Sequence, residues 1–289
     1  MYSKNSLLSQ HLIVSKTVRQ NESEGSLYKA LQVSLLIVLS HICVVIGLLL
    51  TTFKQGNFMK TIGMLGGMSW ESTASYYKAL NEGVKHSLGG LHSAKICMVS
   101  VDFSEIEALQ YQGDWQQTAK LLTKAAKSVE VGGADFLLIC TNTMHKVADE
   151  IASNITIPIL HIADATAEQL KLDNITRVGL LGTQFTMEQN FYKERLTNKH
   201  NIEVLIPEPN ERKRVHEVIY SQLCQGIIDD DSRTDYVRII ERLFAQGAQA
   251  IILGCTEIAL LVKPQHTQVP LYDTTKIHAE AAVKLALAK

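Results

Sequence analysis

Two side chains of this 289-residue chain have the types and spacing to handle one proton from two directions: the Thr141 hydroxyl and the Cys255 thiol. They hold equivalent places in a segment that occurs twice, 114 residues apart. The first copy runs Gly133-Ala134-Asp135-Phe136-Leu137-Leu138-Ile139-Cys140-Thr141-Asn142-Thr143. The second runs Gly247-Ala248-Gln249-Ala250-Ile251-Ile252-Leu253-Gly254-Cys255-Thr256-Glu257. Without a gap, the Gly-Ala pairs and the apolar runs coincide, and Thr141 falls opposite Cys255. Each copy reads as a buried strand that ends just ahead of a helix, where ligands lie in open α/β sheets. Two such ends face to face would put one reactive side chain on either side of a small substrate. A thiol ahead of a helix N-terminus is expected to have a lowered pKa, and the thiolate is its reactive form. A threonine hydroxyl is too weak an acid to rest as an alkoxide, so the two faces of the substrate are not chemically equivalent. Matching Cys140-Thr141 to Cys255-Thr256 by identity would need a one-residue slip, which turns a strand side chain to the other face. Cys140 is therefore assigned to packing.

Polar neighbours extend the pair. Asn142, Thr143 and Thr256 offer neutral donors beside the reacting centre. Glu257 is placed either to meet a substrate ammonium or to occupy the first turn of the following helix. His145, one turn beyond Thr141, reads as a structural hydrogen-bonding residue. The loop Gly66-Gly67-Met68-Ser69-Trp70-Glu71-Ser72-Thr73 follows a strand and opens a helix, so its free N–H groups suit an anion. It is neither Gly-x-Gly-x-x-Gly nor a Walker A sequence, which favours a carboxylate over a nucleotide phosphate. A comparable turn, Gly182-Thr183-Gln184-Phe185-Thr186, opens the second half. Gln110 and Tyr111 are expected to border the cleft, and Arg212-Lys213-Arg214 to form a solvated face.

The elements that must position these residues alternate from Met59 onward. Strand-like runs are predicted at 61–65, 95–101, 136–139, 157–162, 177–181, 203–206, 250–253 and 269–272, with helical stripes between them. That alternation implies an α/β fold of parallel sheets flanked by helices. A second echo, Ile62-Gly63-Met64-Leu65-Gly66-Gly67 against Val178-Gly179-Leu180-Leu181-Gly182-Thr183, supports duplication into two pseudo-symmetric domains with the active site in the cleft between them. The expected boundaries are 59–163 plus 269–289 for the first domain and 164–268 for the second, the last strand and helix returning to the first.

Composition bounds the rest. With 46% hydrophobic and 20% charged residues the chain is globular, and a net charge of −1 with no basic stripe gives no sign of nucleic-acid binding. Five scattered cysteines without a Cys-x-x-Cys argue against a disulfide framework or a structural metal and suggest a cytoplasmic catalytic unit. Residues 1–58 differ in character from the remainder of the chain. The apolar run 33–50 would span about 27 Å as a helix, close to a bilayer's hydrocarbon thickness. It reads either as a membrane tether or as a sequence upstream of a true start at Met59.

At Gly63–Thr73, Cys140-Thr141-Asn142-Thr143-Met144-His145 and Gly254-Cys255-Thr256-Glu257-Ile258, the chain resembles the aspartate/glutamate racemase family of cofactor-independent amino-acid racemases. Within that family it resembles the branch specific for L-aspartate and L-glutamate. The resemblance runs from Met59 to Lys289. It implies an isomerase of acidic amino acids that needs no cofactor and no metal, a homodimer, and two facing cysteines that exchange the Cα proton. Carried over, Cys255 is one of these and the other has become Thr141. The expected substrate contacts are Met68, Gln110, Asn142, Thr143, Thr186, Thr256 and Glu257. Cys224 lies where many relatives carry a substrate-binding lysine, which leaves the side-chain carboxylate without its usual partner. The competing readings are a one-cysteine decarboxylase or isomerase of the same superfamily and a non-catalytic amino-acid-binding protein.

Overall fold

The chain divides into two units, Met1–Phe58 and Met59–Lys289. A computed structural model describes residues 34, 35, 37–39 and 59–288. In the first unit, the residues described are helical. The rest of the expected 33–50 span lies outside the described residues, among which no helix is long and apolar enough to cross a membrane.

The second unit holds two parallel sheets. β1 (Ile62–Gly66) lies between β2 (Ile96–Ser100) and β3 (Phe136–Ile139), in the order β2-β1-β3. β4 (Arg177–Gly182) lies between β5 (Glu203–Leu205) and β6 (Ala250–Gly254), and β7 (Leu271–Asp273) closes the order β5-β4-β6-β7. The shared order 2-1-3 and 5-4-6 is the duplication expressed as topology. Every residue of β1, β3 and β6 is buried, as expected for parallel strands covered on both faces by helices.

The helices are α1 (Trp70–Leu88), α2 (Phe103–Gln112), α3 (Trp115–Val131), α4 (Ala148–Ala152), α5 (Ile162–Leu172), α6 (Gln184–Glu188), α7 (Asn190–Glu194), α8 (Pro209–Ser221), α9 (Asp230–Ala245), α10 (Ile258–Leu261) and α11 (Thr274–Leu287). α3 buries the stripe Leu122, Ala125, Ala126 and Val129 on the first sheet, and α9 buries Ile239, Ile240 and Leu243 on the second.

Two expectations are corrected. The strand expected over 157–162 is reduced to a bridge: Leu137 N–H donates to Pro158 O at 2.9 Å and Leu160 N–H to Leu137 O at 3.0 Å. Pro158 has no N–H to extend the ladder, and His161 already caps α5 by accepting from Ala163 N–H. The last strand does not return to the first half. β7 pairs with β6, Ile251 opposite Leu271, and holds the place in its sheet that the bridge at Ile159 holds in the other. Only α11 crosses over, packing on α1 and α5.

Candidate active site

The site forms where β1, β3, β4 and β6 end. The carboxyl ends of parallel strands expose loop N–H groups and side chains to a shared crevice, and the helices that follow begin there. A narrow cleft with about 380 Å³ of atom-free space, partly open to solvent, is lined by both halves. Thr141, Asn142 and Thr143 enter from the end of β3, and Cys255 and Glu257 from the end of β6. Met68 comes from the β1–α1 loop and Gln110 from α2.

Glu257 organises the thiol side. It is 3% exposed, and three donors converge on its carboxylate. Ser69 hydroxyl donates to Oε1 at 2.7 Å, Thr256 hydroxyl to Oε2 at 2.6 Å, and the Cys255 thiol to Oε2 at 2.9 Å. Ser69 also caps α1 by accepting from Ser72 N–H, so one hydroxyl ties the first half's leading helix to the second half's carboxylate.

The expected low pKa of Cys255 is overturned. Burial pushes this thiol well up, and the Glu257 charge adds to the effect. The helix after it, α10, has four residues, and a short first turn cannot offset an adjacent carboxylate. Cys255 therefore rests as a thiol with its proton already directed at Glu257.

On the opposite half the polar groups are neutral. Thr143 hydroxyl lies 3.0 Å from that of Thr183 and 3.4 Å from that of Thr186, joining the two sheets' loops. Asn142 Nδ2 donates to Thr274 Oγ1 at 3.0 Å, while its Oδ1 is buried without a partner. His145 is neutral with a fixed tautomer: Nδ1–H donates to Thr141 O at 2.8 Å and Nε2 accepts from Ile162 N–H at 3.2 Å. Burial lowers its pKa to about 3. It thus holds the Thr141 backbone and performs no proton transfer at neutral pH.

Not every expected residue reaches the cleft. Thr186 is fully buried behind Thr183, which lines the cleft in its stead, and Thr256 turns its hydroxyl to Glu257. Tyr111 is 89% exposed and is not part of the lining. Sequence reasoning missed Ser69 as a partner of Glu257, and Phe103, Ile219 and Tyr220 as lining. Thr183 alone had a local signal, its place after a strand matching that of Gly67. Cys224, singled out as a departure, does line the cleft, and burial raises its pKa to about 12.

Two parallel sheets thus enclose one cleft that holds a thiol and a carboxylate. The chain belongs to the Asp/Glu/hydantoin racemase family, whose description matches residues 65–282. It is 57% identical to a putative Asp/Glu racemase from Yersinia pestis whose crystal structure covers 79% of this chain and all of that one, with a TM-score of 0.75. An aspartate racemase homologue from Pyrococcus horikoshii OT3 is 32% identical over 79% of this chain and 99% of its own, with a TM-score of 0.69. The broad specificity amino-acid racemase RacX of Bacillus subtilis (strain 168) is 24% identical over 61% of this chain and 75% of its own.

Proposed function

We propose that the chain is a cofactor-independent amino-acid racemase in which Cys255 removes the Cα proton and the Thr141 side returns one. The observation that carries this is the thiol of Cys255 donating at 2.9 Å to Glu257 in a cleft that Thr141 enters from the other sheet. Glu257 takes the thiol proton as the thiolate takes hydrogen from Cα. A solvent proton then reaches the carbanion from the other face through the Thr141 hydroxyl, which gives up one proton while accepting another and so never rests as an alkoxide. The product leaves with inverted Cα. Cys255 holds the substrate's proton, and Glu257 releases its own to solvent.

The binding reading is drawn from the same geometry. The orphaned Asn142 Oδ1 is an acceptor for the substrate ammonium, since a buried carbonyl without a partner is costly. Hydroxyls of Thr143 and Thr183 are donors for the α-carboxylate as charge spreads onto it in the transition state. Met68 and Gln110 complete the walls. Aspartate and glutamate are the first substrates to test, because the named relatives include an aspartate racemase homologue and a putative Asp/Glu racemase.

The test is proton exchange at Cα in deuterated water, followed by NMR for each enantiomer. With Cys255 as the one thiol facing Thr141 in this mechanism, initial exchange is expected to be strongly faster from one enantiomer, to be lost in Cys255→Ser, and to become nearly equal from both in Thr141→Cys. Equal rates in the unmodified chain would sink the one-thiol mechanism, and no exchange from any amino acid would leave a binding protein.

A further inference from the structure

The charge around the cleft selects among amino acids. Among the described residues, none that lines it is lysine or arginine. One part of its lining is formed by Ile219 and Tyr220 at the end of α8, by Cys224 just beyond it, and by Phe103 of α2. Its polar atoms are neutral: Tyr220 hydroxyl donates to Gln110 Oε1 at 3.4 Å. Among the described residues, the charged side chain that lines the same cleft is the carboxylate of Glu257. Burial raises the Tyr220 pKa, with Cys255, Cys224 and then Glu107 and Glu257 adding to it, and Glu257 and Glu71 add to the effect of burial on Cys224.

Nearby cations are committed elsewhere. On α8, Arg212 pairs with Glu188 at 2.8 Å and Arg214 with Asp235 at 2.9 Å. Lys146 donates to Gln189 Oε1 at 2.5 Å and its ammonium lies over the Trp115 ring, 4.5 Å from the centroid.

We infer that this site takes an α-amino acid with an uncharged side chain and discriminates against aspartate and glutamate. The inference rests on the racemase reading and names its substrate class. An amino acid's ammonium and α-carboxylate are together neutral, and Asn142 Oδ1 with the threonine hydroxyls matches them. A second carboxylate would enter a narrow cleft that already holds Glu257, where no lysine or arginine among the described lining residues replaces the water it loses. A buried charge without a partner is strongly disfavoured, and a like charge nearby makes it worse. An amide of the same shape meets Tyr220, Gln110 and Cys224 at no such cost.

Isosteric pairs isolate the charge. We expect kcat/KM for Cα exchange to be at least tenfold higher with asparagine than with aspartate, and with glutamine than with glutamate. Cys224→Lys, which adds a cation to the wall, should raise the acidic member of each pair at least tenfold relative to its amide, whereas Cys224→Met should not. Aspartate or glutamate turning over as fast as its amide in the unmodified chain would overturn the inference. Calorimetric binding to Cys255→Ser separates this from the racemase reading. Amides binding without exchange in the unmodified chain would refute the chemistry and keep the ligand class. Acidic amino acids binding more tightly would refute the ligand class alone.

Discussion

At the scale of single residues, the centre of this site is a carboxylate rather than a sulfur. Glu257 accepts hydrogen bonds from Ser69, Thr256 and Cys255, and its negative charge makes the thiol a weaker acid while pointing its proton at an acceptor. These effects separate in Glu257→Gln. Removing the charge should lower the apparent pKa of Cys255, because that charge and burial both raise it. Removing the acceptor should cut the exchange rate by about 10²–10⁴, the usual worth of general base catalysis. Site-resolved alkylation of Cys255 across pH reads the first, and exchange in deuterated water the second. An unmoved titration with full activity would reduce Glu257 to a loop cap.

At the scale of elements, the β1–α1 loop places both Met68 and Ser69. Gly67 has φ +92°, and a Cβ there would lie 2.1 Å from Val101 O, in the chain just past β2. Its N–H donates to Thr73 Oγ1 at 2.8 Å, and Thr73 hydroxyl donates to Ser69 O at 2.8 Å, so turn and helix start are one unit. Gly133 has a similar φ of +90° with nothing near its absent side chain. Gly133→Ala should therefore cost only the backbone term, about 1–2 kcal/mol. Gly67→Ala adds a clash with a backbone oxygen and should cost about 1–3 kcal/mol more. Thermal or urea unfolding of the two variants measures the difference, and equal losses would show that the loop yields freely.

At the scale of the whole molecule, buried histidines lie among the segments that join the two sheets. The ring of His145 is 4.4 Å from that of His161 and 6.0 Å from that of His278, centroid to centroid. His278 accepts from Tyr76 hydroxyl at Nδ1 and donates from Nε2 to Leu160 O at 2.7 Å. Burial lowers His145 to about 3 and His278 to about 4, and lowers His161 as well. In the unfolded chain each would titrate near about 6.5. The folded state therefore refuses protons that the unfolded state accepts as pH falls below that value. Stability should be full above about pH 6.5 and decline through about 4 and 3. Urea midpoints from pH 8 to pH 4 should show the fall. His278→Gln should make it shallower while lowering stability at pH 8. A midpoint independent of pH across that range would contradict the account.

Much of this was written along the chain. Apolar runs with small residues at their ends fixed the strands, Phe136–Ile139 with the same bounds in sequence and in structure, because a buried parallel strand needs only local apolar length. The internal repeat paired Thr141 with Cys255, and the structure brings both to one cleft. Only the tertiary structure decided what surrounds them. Ser69 meets Glu257 across 188 residues, and no local period announces such a contact. The closing strand β7 joins its own sheet because β6 offers a free ladder edge there. The state of Cys255 likewise depends on burial and on a neighbouring carboxylate, which are properties of space. Sequence order singled out the sulfur; folding set its proton and the sign of the charge around it.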